Sequence, residues 1–204
     1  LRYSTGIKEA HYLSFILGHS VIYDKVDGFG GSLQGFPSDA IQEFNGGGVV
    51  NPSVSGGASE ETWQSVFARV NYNYQEKYLF EANIRRDGSS KFGADNRYGT
   101  FPSLSAGWNI AREDFLKSSE MLTDLKLRAS WGITGNDNIA NYLYAQTYNV
   151  GLDYFLGNSI VSAAALTTLT NPKVKWETIE QYDIGIDYST NFLSKSILMH
   201  LQFF

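Results

Sequence analysis

Apolar and polar residues alternate along much of the chain with a period of two, in segments roughly ten residues long. In the clearest segment, residues 125–134, Leu127 and Trp131 lie on one face and Arg128 lies on the other. A tilted strand of this length crosses a bilayer, and the alternation gives it one apolar face and one hydrated face. We therefore predict an all-β chain with six membrane-spanning strands and a seventh that begins near Ser196. The other five predicted strands cover residues 13–24, 65–74, 78–87, 103–110 and 181–188.

The predicted connections between these strands differ in length. Long segments cover residues 25–61, 88–99 and 135–174, and short segments cover residues 75–77, 111–123 and 189–194, with one helical turn expected at 112–117. Outer-membrane barrels have short periplasmic turns and longer outer loops, so the long segments are predicted to face outward. The predicted architecture is an antiparallel, up-and-down transmembrane β-barrel.

Tyrosine and tryptophan side chains beside both sets of connections support this orientation. Such side chains collect at the two headgroup levels of a membrane. Those beside short segments are Tyr72, Tyr74, Tyr78, Trp108 and Tyr188, and those beside long segments are Trp63, Trp131 and Trp176. Two aromatic girdles are the predicted result.

Composition narrows the classes of function. Aromatic residues make up 15% of the chain and charged residues 18%, with 20 glycines, which favours strands and tight turns. The net charge is −5 and the basic residues are scattered, so no nucleic-acid partner is predicted. Without cysteine there is no disulfide framework and no thiolate metal site. No signal peptide pattern and no spanning-helix pattern is found.

Several motifs resemble the barrel signature of the SusC/RagA group of TonB-dependent outer-membrane transporters. The strongest are residues 85–93 (RRDGSSKFG), 96–99 (NRYG) and 101–108 (FPSLSAGW). The resemblance continues in order and spacing from Arg69 to Tyr188. Its other motifs are residues 69–74 (RVNYNY), 77–79 (KYL), 125–132 (LKLRASWG), 134–136 (TGN), 171–172 (NP), 175–177 (KWE) and 180–185 (EQYDIG).

The resemblance implies a fold, a location and a set of partners. Family barrels have about 22 strands, so residues 1–204 are expected to be an incomplete barrel of six or seven strands, without plug domain, TonB-contacting segment or signal peptide. The whole protein is expected to import an oligosaccharide or a peptide across the outer membrane. Its implied partners are outer-membrane lipid, a SusD-like surface lipoprotein and TonB. The alternative to truncation is a complete small barrel, in which Phe204 would be the carboxyl-terminal aromatic residue that outer-membrane assembly recognises.

A module without transport activity is the alternative function. A soluble or surface β-domain that binds glycans also has alternating strands and exposed aromatic side chains, but a sandwich buries its apolar face in a core. No serine elbow, phosphate-binding loop or acidic pair is found, so no enzyme activity and no cofactor is predicted.

Two sets of residues are candidates for the site. Side chains on outward loops or strand ends are predicted to contact the ligand, with loop packing as the alternative role: Arg86, Lys91, Asp95, Arg97, Tyr98 and Trp176. Charged side chains on the hydrated faces of the strands are predicted to line the lumen: Arg69, Glu81, Arg85, Asp87, Arg128 and Asp183.

Metal sites are not predicted. The three histidines, His11, His19 and His200, lack ligand-like spacing. The segments 87–90 and 136–138 contain oxygen donors but lack the spacing of a calcium loop, and turn chemistry explains them.

Overall fold

The computed structural model describes residues 1–7, 10–41, 43–46, 50–116, 122–166, 169–192 and 195–203, and it is all-β, as predicted. Three short 3-10 helices lie in connections, at Phe44–Gly46, Ala94–Asn96 and Ile110–Arg112. The strands of the described residues are β1 (Arg2–Ile7), β2 (His11–Gln34), β3 (Val50–Tyr74), β4 (Tyr78–Ser89), β5 (Tyr98–Asn109), β6 (Leu122–Asn136), β7 (Tyr148–Leu156), β8 (Ser159–Leu166), β9 (Glu177–Phe192) and β10 (Lys195–Phe203).

Eight of these strands form one sheet in the order β1-β2-β3-β4-β5-β6-β9-β10, and β7 and β8 form a separate hairpin. Every pairing whose register is described is antiparallel. The prediction that the strands pair in sequence order is confirmed, with the hairpin inserted between β6 and β9. The antiparallel register places residues 75–77 and the connection 90–97 at opposite ends of β4. Among the described residues, no helix is long and apolar enough to cross a membrane.

The chain divides into two compact units, Leu1–Val21 with Trp63–Phe204, and Ile22–Thr62. The second unit contains the last residues of β2 and the first residues of β3. Within it Lys25 pairs with Glu60 at 3.7 Å, and the Asn51 amide donates to Gln34 Oε1 at 3.4 Å. The predicted long loop at residues 25–61 is therefore wrong over much of its length, because both strands continue into it.

Small residues explain why the continuing strands escaped detection. Glycine and serine contribute no apolar side chain, so the hydropathy pattern fades where the two backbones still lie close together. A Cβ added at Gly28 would lie 3.8 Å from the carbonyl oxygen of Gly57, and one added at Gly30 would lie 2.9 Å from Ser55 Oγ. Strand β1 and the β7–β8 hairpin were also missed; the first has six residues, and the second is apolar on both faces without alternation.

Connection length is a weaker guide to orientation than predicted. Because β4 extends to Ser89 and β5 begins at Tyr98, the supposedly long connection spans only residues 90–97. The supposedly short connection on the other side of β5 spans residues 110–121 and is longer. Of the connections predicted to be long, 35–49 and 137–176 remain longer than those predicted to be short.

The register across the sheet confirms the predicted division into two faces. A row of apolar residues runs across five strands: Tyr72, Phe80, Ala106, Ala129 and Ile184. The adjacent row points to the other face and is polar: Asn71, Glu81, Ser105, Ser130 and Asp183. The apolar face is exposed, with Phe80 at 45% and Ile184 at 61%. Within the described ranges the buried apolar side chains are Phe92 and Phe101, so no interior core covers the apolar face.

Candidate functional site

The polar face carries ion pairs between neighbouring strands. Arg69 Nε lies 3.6 Å from Glu81 Oε1. Arg128 lies between two carboxylates, with Nη1 3.8 Å from Asp183 and Nε 3.6 Å from Asp187. The Arg69–Glu81 pair is well exposed, with side chains 48% and 39% exposed, so it contributes little to stability, whereas Asp183 is only 12% exposed.

A groove of about 560 Å³ follows this face across the strands. Polar residues that line it lie on β2 to β6 and β9 and include Tyr12, Asn71, Glu81, Ser105, Arg128 and Asp183. Further along the same face, Arg85 donates from Nε to Asp87 at 2.7 Å and from a terminal nitrogen to Ser65 Oγ at 2.9 Å. The six residues predicted to line the lumen therefore share one face of the sheet.

The connection 90–97, strand β5 and the end of the connection 137–176 meet in an aromatic cluster made of Phe92, Phe101 and Trp176. Phe92 is fully buried, and the Trp176 ring lies 5.1 Å from Phe92 and 5.3 Å from Phe101 between ring centroids. The Trp176 indole N–H donates to the carbonyl oxygen of Arg97 at 3.1 Å. The cluster joins the connection 90–97 to the start of β9.

The absence of a side chain at Gly135 makes room for this aromatic cluster. A Cβ added there would contact the ring of Phe101, which is itself 7% exposed. Backbone hydrogen bonds complete the turn beneath the cluster, from Phe92 N to Ser89 O at 3.3 Å and from Ser89 N to Arg97 O at 3.1 Å. These residues belong to the family-like motifs of the sequence, and together they form a packed base for the loops at this end of the sheet.

Both ends of the connection 137–176 are attached to this base. At its beginning, the Trp63 indole N–H donates to Asp137 at 2.6 Å. Near its end, the Trp176 indole N–H donates to the carbonyl oxygen of Arg97. The Asn171 backbone N–H donates to the carbonyl oxygen of Leu143 at 3.0 Å, which closes the connection on itself. The β7–β8 hairpin lies between these attachments.

The six residues predicted to contact a ligand do not converge on one site. Arg86 lies over the ring of Tyr98 at 5.1 Å, and both share a face with Val66, not with the ion pairs. Lys91 lies over the ring of Trp63 at 5.6 Å. Trp176 belongs to the aromatic cluster, and Asp95 and Arg97 are exposed in the connection 90–97. Ligand contact stays a prediction for all six.

The opposite end of the sheet, at the turn 75–77 and called the short-turn end after that turn, is organised by one carboxylate that the sequence reasoning missed. Glu113 accepts hydrogen bonds from Tyr78 Oη at 2.7 Å, Lys77 Nζ at 3.0 Å and Trp108 Nε1 at 3.1 Å. These donors, led by Tyr78, hold the pKa of Glu113 below its ordinary value. The hydrogen bond to Glu113 in turn raises the pKa of Lys77. In the sequence, the one sign of this hydrogen-bonded arrangement is that the acidic residue Glu113 lies close to Trp108 of the predicted aromatic girdle.

Aromatic rings continue along this end of the sheet. Tyr78 stacks on Trp108 with centroids 6.5 Å apart, and Tyr74 stacks on Tyr78 at 6.2 Å. His11 contacts the ring of Tyr74 at 4.6 Å, and its Nδ1 is 2.7 Å from Tyr72 Oη. The rings lie at one level of the sheet, as expected at a headgroup boundary.

A family of known proteins matches nearly the whole chain. The TonB dependent receptor-like, beta-barrel family matches residues 3–198. The chain belongs to this family. TonB-dependent receptor P3 of Formosa agariphila is 40% identical over 185 residues, covering 87% of this chain and 18% of that protein. TonB-dependent receptor SusC of Bacteroides thetaiotaomicron is 42% identical over 135 residues, covering 64% of this chain and 13% of that protein.

Solved structures of the same type share the fold of this TonB-dependent receptor barrel. The RagAB peptide importer in the "closed-closed" state superposes with a TM-score of 0.86 at 28% identity, covering 98% of this chain and 22% of that chain. A second RagAB peptide transporter structure gives a TM-score of 0.82 at 29% identity, covering 93% and 21%. The predicted SusC/RagA resemblance is confirmed, and the chain spans between 13% and 22% of the length of these relatives. These relatives are receptors and transporters, and the family and SusC are outer-membrane proteins.

Metal ligation has no candidate in the part of the chain that the structure describes, where no group of three His, Asp or Glu residues could hold an ion. His11 contacts tyrosines, and His19 Nε2 is 3.3 Å from the side-chain nitrogen of Gln64. The side chain of His200 and that of Phe204 lie outside the described residues.

Proposed function

We propose that the intact protein imports a nutrient of the oligosaccharide or peptide class across the outer membrane, with energy from TonB. The observation that carries this proposal is the two-faced sheet, in which an exposed apolar row and a polar, ion-paired row are in register across five strands. Such a wall suits lipid on one side and a hydrated passage on the other. The RagAB relatives, described as a peptide importer, and SusC support the same function.

The polar face is proposed to line the passage. The charges on this face lie in pairs of opposite sign, Arg69 with Glu81 and Arg128 with Asp183. The face is therefore charged and hydrated, but it has no strong electrostatic field of one sign. A surface lipoprotein of the SusD type is the proposed partner on the side of the aromatic cluster. TonB is proposed to act through a plug domain encoded beyond this chain.

The exposed apolar face weighs against a soluble glycan-binding sandwich. Phe80, Leu104 and Ile184 are each more than 40% exposed, and a sandwich would bury such a face between two sheets. A membrane covers it without a second sheet.

Uptake by cells tests the proposal directly. A strain without the intact gene should lose accumulation of a labelled oligosaccharide mixture or of a labelled peptide mixture, and the gene should restore it only when TonB is present. A strain that keeps both activities, together with glycan binding by the purified protein, would support the non-transporting alternative.

Labelling of whole cells tests the proposed orientation. A cysteine placed at exposed Asp95 should react with a reagent that cannot cross the outer membrane, whereas one placed at Glu76 should react only after the membrane is opened. The opposite labelling pattern would show that the sheet has the opposite orientation in the membrane.

A further inference from the structure

The apolar face of the large sheet becomes polar near the connection 90–97. On β4, Ile84 is followed on the same face by Arg86, and the register places Thr100 of β5 beside Arg86. The segment from Tyr78, in the row of rings at the short-turn end, to Arg86 has nine residues. A tilted strand crosses a bilayer with about 9–11 residues, so Arg86 lies at the headgroup level opposite to that of Tyr78.

The charge of Arg86 has no acidic neighbour on this face. Across the rows that the register describes for β3 to β6 and β9, the charged residues of the apolar face are Arg86 and Glu180. Glu180 accepts hydrogen bonds from Trp131 Nε1 and from Tyr182 Oη, both at 2.7 Å, and strands β5 and β6 lie between it and Arg86. Within the described part of the chain Arg86 forms no ion pair, so its positive charge stays uncompensated.

The ring of Tyr98 supports the guanidinium of Arg86. This ring lies across Gly88 of β4, where an added Cβ would come within 2.5 Å of it. Tyr98 Oη donates to Gln64 Oε1 of β3 at 3.2 Å, so the side chain bridges three strands. The guanidinium carbon of Arg86 lies 5.1 Å from the centroid of the ring. A ring packed over a glycine also stabilises a sheet by itself, so the indication of a ligand comes from the cation that the ring holds.

A guanidinium stacked on a ring keeps its N–H groups directed outward in its own plane. This planar fork matches the oxygens of a phosphate group and can donate two parallel hydrogen bonds to it. Tyr98 is 48% exposed, and Ile84 and Leu104, on the apolar rows beside it, are 51% and 44% exposed. A cationic fork directly above an exposed apolar surface suits a molecule that has both an anionic group and acyl chains.

We propose that Arg86, stacked on Tyr98, binds the phosphate group of a lipid headgroup at the outward boundary of the membrane-facing side. The outward position rests on the orientation given under the proposed function. The phosphate accepts hydrogen bonds from the guanidinium, and the acyl chains lie along the apolar rows that begin at Ile84. A transported solute would instead pass along the ion-paired face, so Arg86 and Tyr98 are assigned to lipid and not to the solute.

Lipid binding by the purified full-length transporter tests this site. Native mass spectrometry in detergent gives the apparent Kd for phosphatidic acid and for a neutral glycolipid that has the same acyl chains and no phosphate. Wild type should bind phosphatidic acid about tenfold more tightly, as expected for hydrogen bonds between charged groups. Arg86→Gln should reduce this preference to less than about twofold. Arg69→Gln is the matched control, because it removes the same charge from the opposite face of the neighbouring strand and should keep the preference.

Four results would overturn the phosphate site. Equal affinity of wild type for the two lipids does so without any variant. A folded Arg86→Gln that keeps the preference also does so, with heat-modifiable gel mobility as the test of folding. An equal loss in Arg69→Gln would indicate a general effect of net charge. Displacement of phosphatidic acid by excess inorganic phosphate would show that the site takes free phosphate and not a lipid headgroup.

Failure of this site and failure of the proposed function can be distinguished. A transporter that restores nutrient uptake in cells but shows no lipid preference when purified overturns the lipid site alone. If deletion of the gene leaves nutrient uptake unchanged, the proposed function fails, whichever lipid the purified barrel binds. Labelling at Asp95 and Glu76 with the opposite pattern would overturn the outward position of the site.

Discussion

The two ends of the large sheet are held together in different ways. At the short-turn end, one carboxylate, Glu113, receives three hydrogen bonds from donors that lie 5 to 36 residues away in sequence. At the other end, Trp176 packs on Phe92 and donates to Arg97, 79 residues away. The first end is held by hydrogen bonds to one partly exposed carboxylate beside a row of rings, whereas the second is held by a buried aromatic ring.

This difference indicates which end tolerates change. A hydrogen-bonded carboxylate near water can exchange its partners for solvent, so each bond contributes modestly. A fully buried aromatic ring has no such replacement, and its removal leaves a cavity. Three of the family-like motifs, residues 85–93, 96–99 and 175–177, include residues of this least replaceable packing, in the connection 90–97 and at the start of β9.

Removing the buried ring should have the largest effect. Phe92→Ala in the intact barrel should destabilise the aromatic cluster by about 3–5 kcal/mol, through lost burial and the cavity left behind. Hydrogen exchange of the Phe92 and Ser89 amides should report this as local opening. Phe115→Ala, at a site 73% exposed, is the control and should leave exchange unchanged. Equal protection in both variants would show that the cluster does not depend on Phe92.

A charge introduced on the apolar face in the middle of a spanning strand should have an effect of intermediate size. Leu127→Arg should destabilise the intact barrel by roughly 2–4 kcal/mol, because the charge would face lipid. Arg128→Gln, on the opposite face, should cost no more than about 1 kcal/mol, because its ion pairs are partly exposed. Urea unfolding in lipid vesicles measures both values. Equal losses at the two sites would contradict the assignment of the faces.

A single methyl group tests the tightness of the aromatic cluster. Gly135→Ala should destabilise that end by about 1–3 kcal/mol, because the new Cβ would meet the Phe101 ring. Gly57→Ala is the matched control, since a Cβ there has no neighbour within 4 Å. Hydrogen exchange of the connection 90–97 distinguishes them, and a silent Gly135→Ala would indicate loose packing.

The smallest effect is expected at Glu113, and it should depend on pH. Because the pKa of Glu113 is lowered in the fold, its contribution is present above the ordinary value of 4.5 and is lost as pH falls through the folded value. The pKa of Lys77 is raised, so its contribution is lost only as pH rises above 10.5. The NMR signal of the Trp108 indole N–H should therefore shift at acid pH in wild type and stay constant in Glu113→Gln. An identical acid shift in both proteins would exclude Glu113 as the acceptor.

The sequence predicts the membrane-spanning part of the fold well, for a physical reason. Between Arg69 and Tyr188 a bilayer requires apolar residues on one face of each spanning strand. The alternation of apolar and polar residues along these strands follows from that requirement. Phe80 and Glu81 could be assigned to their faces without any structure, and the register agrees.

Elsewhere the sequence was a poorer guide because no solvent boundary imposes a pattern. Strands β2 and β3 continue through glycine and serine, which carry no hydropathy signal. The β7–β8 hairpin is apolar on both faces, so its period cannot be read. The roles of Glu113 and Trp176 depend on side chains that meet across the sheet, and spacing alone does not reveal such meetings.

Under the proposed function, the ion pairs of the polar face also affect how the wall treats a passing solute. Cations and anions lie side by side on this face of β3, β4, β6 and β9, among them Arg69, Arg85, Lys126, Arg128, Glu81, Asp87, Asp183 and Asp187. Opposite charges a few ångströms apart produce a potential that decays much faster with distance than that of a single charge, and salt shortens its reach to about 8–10 Å. Under the proposed function, a wall with this arrangement would sort solutes only weakly by the sign of their charge, so selection between acidic and basic nutrients would come from surfaces that approach the solute more closely.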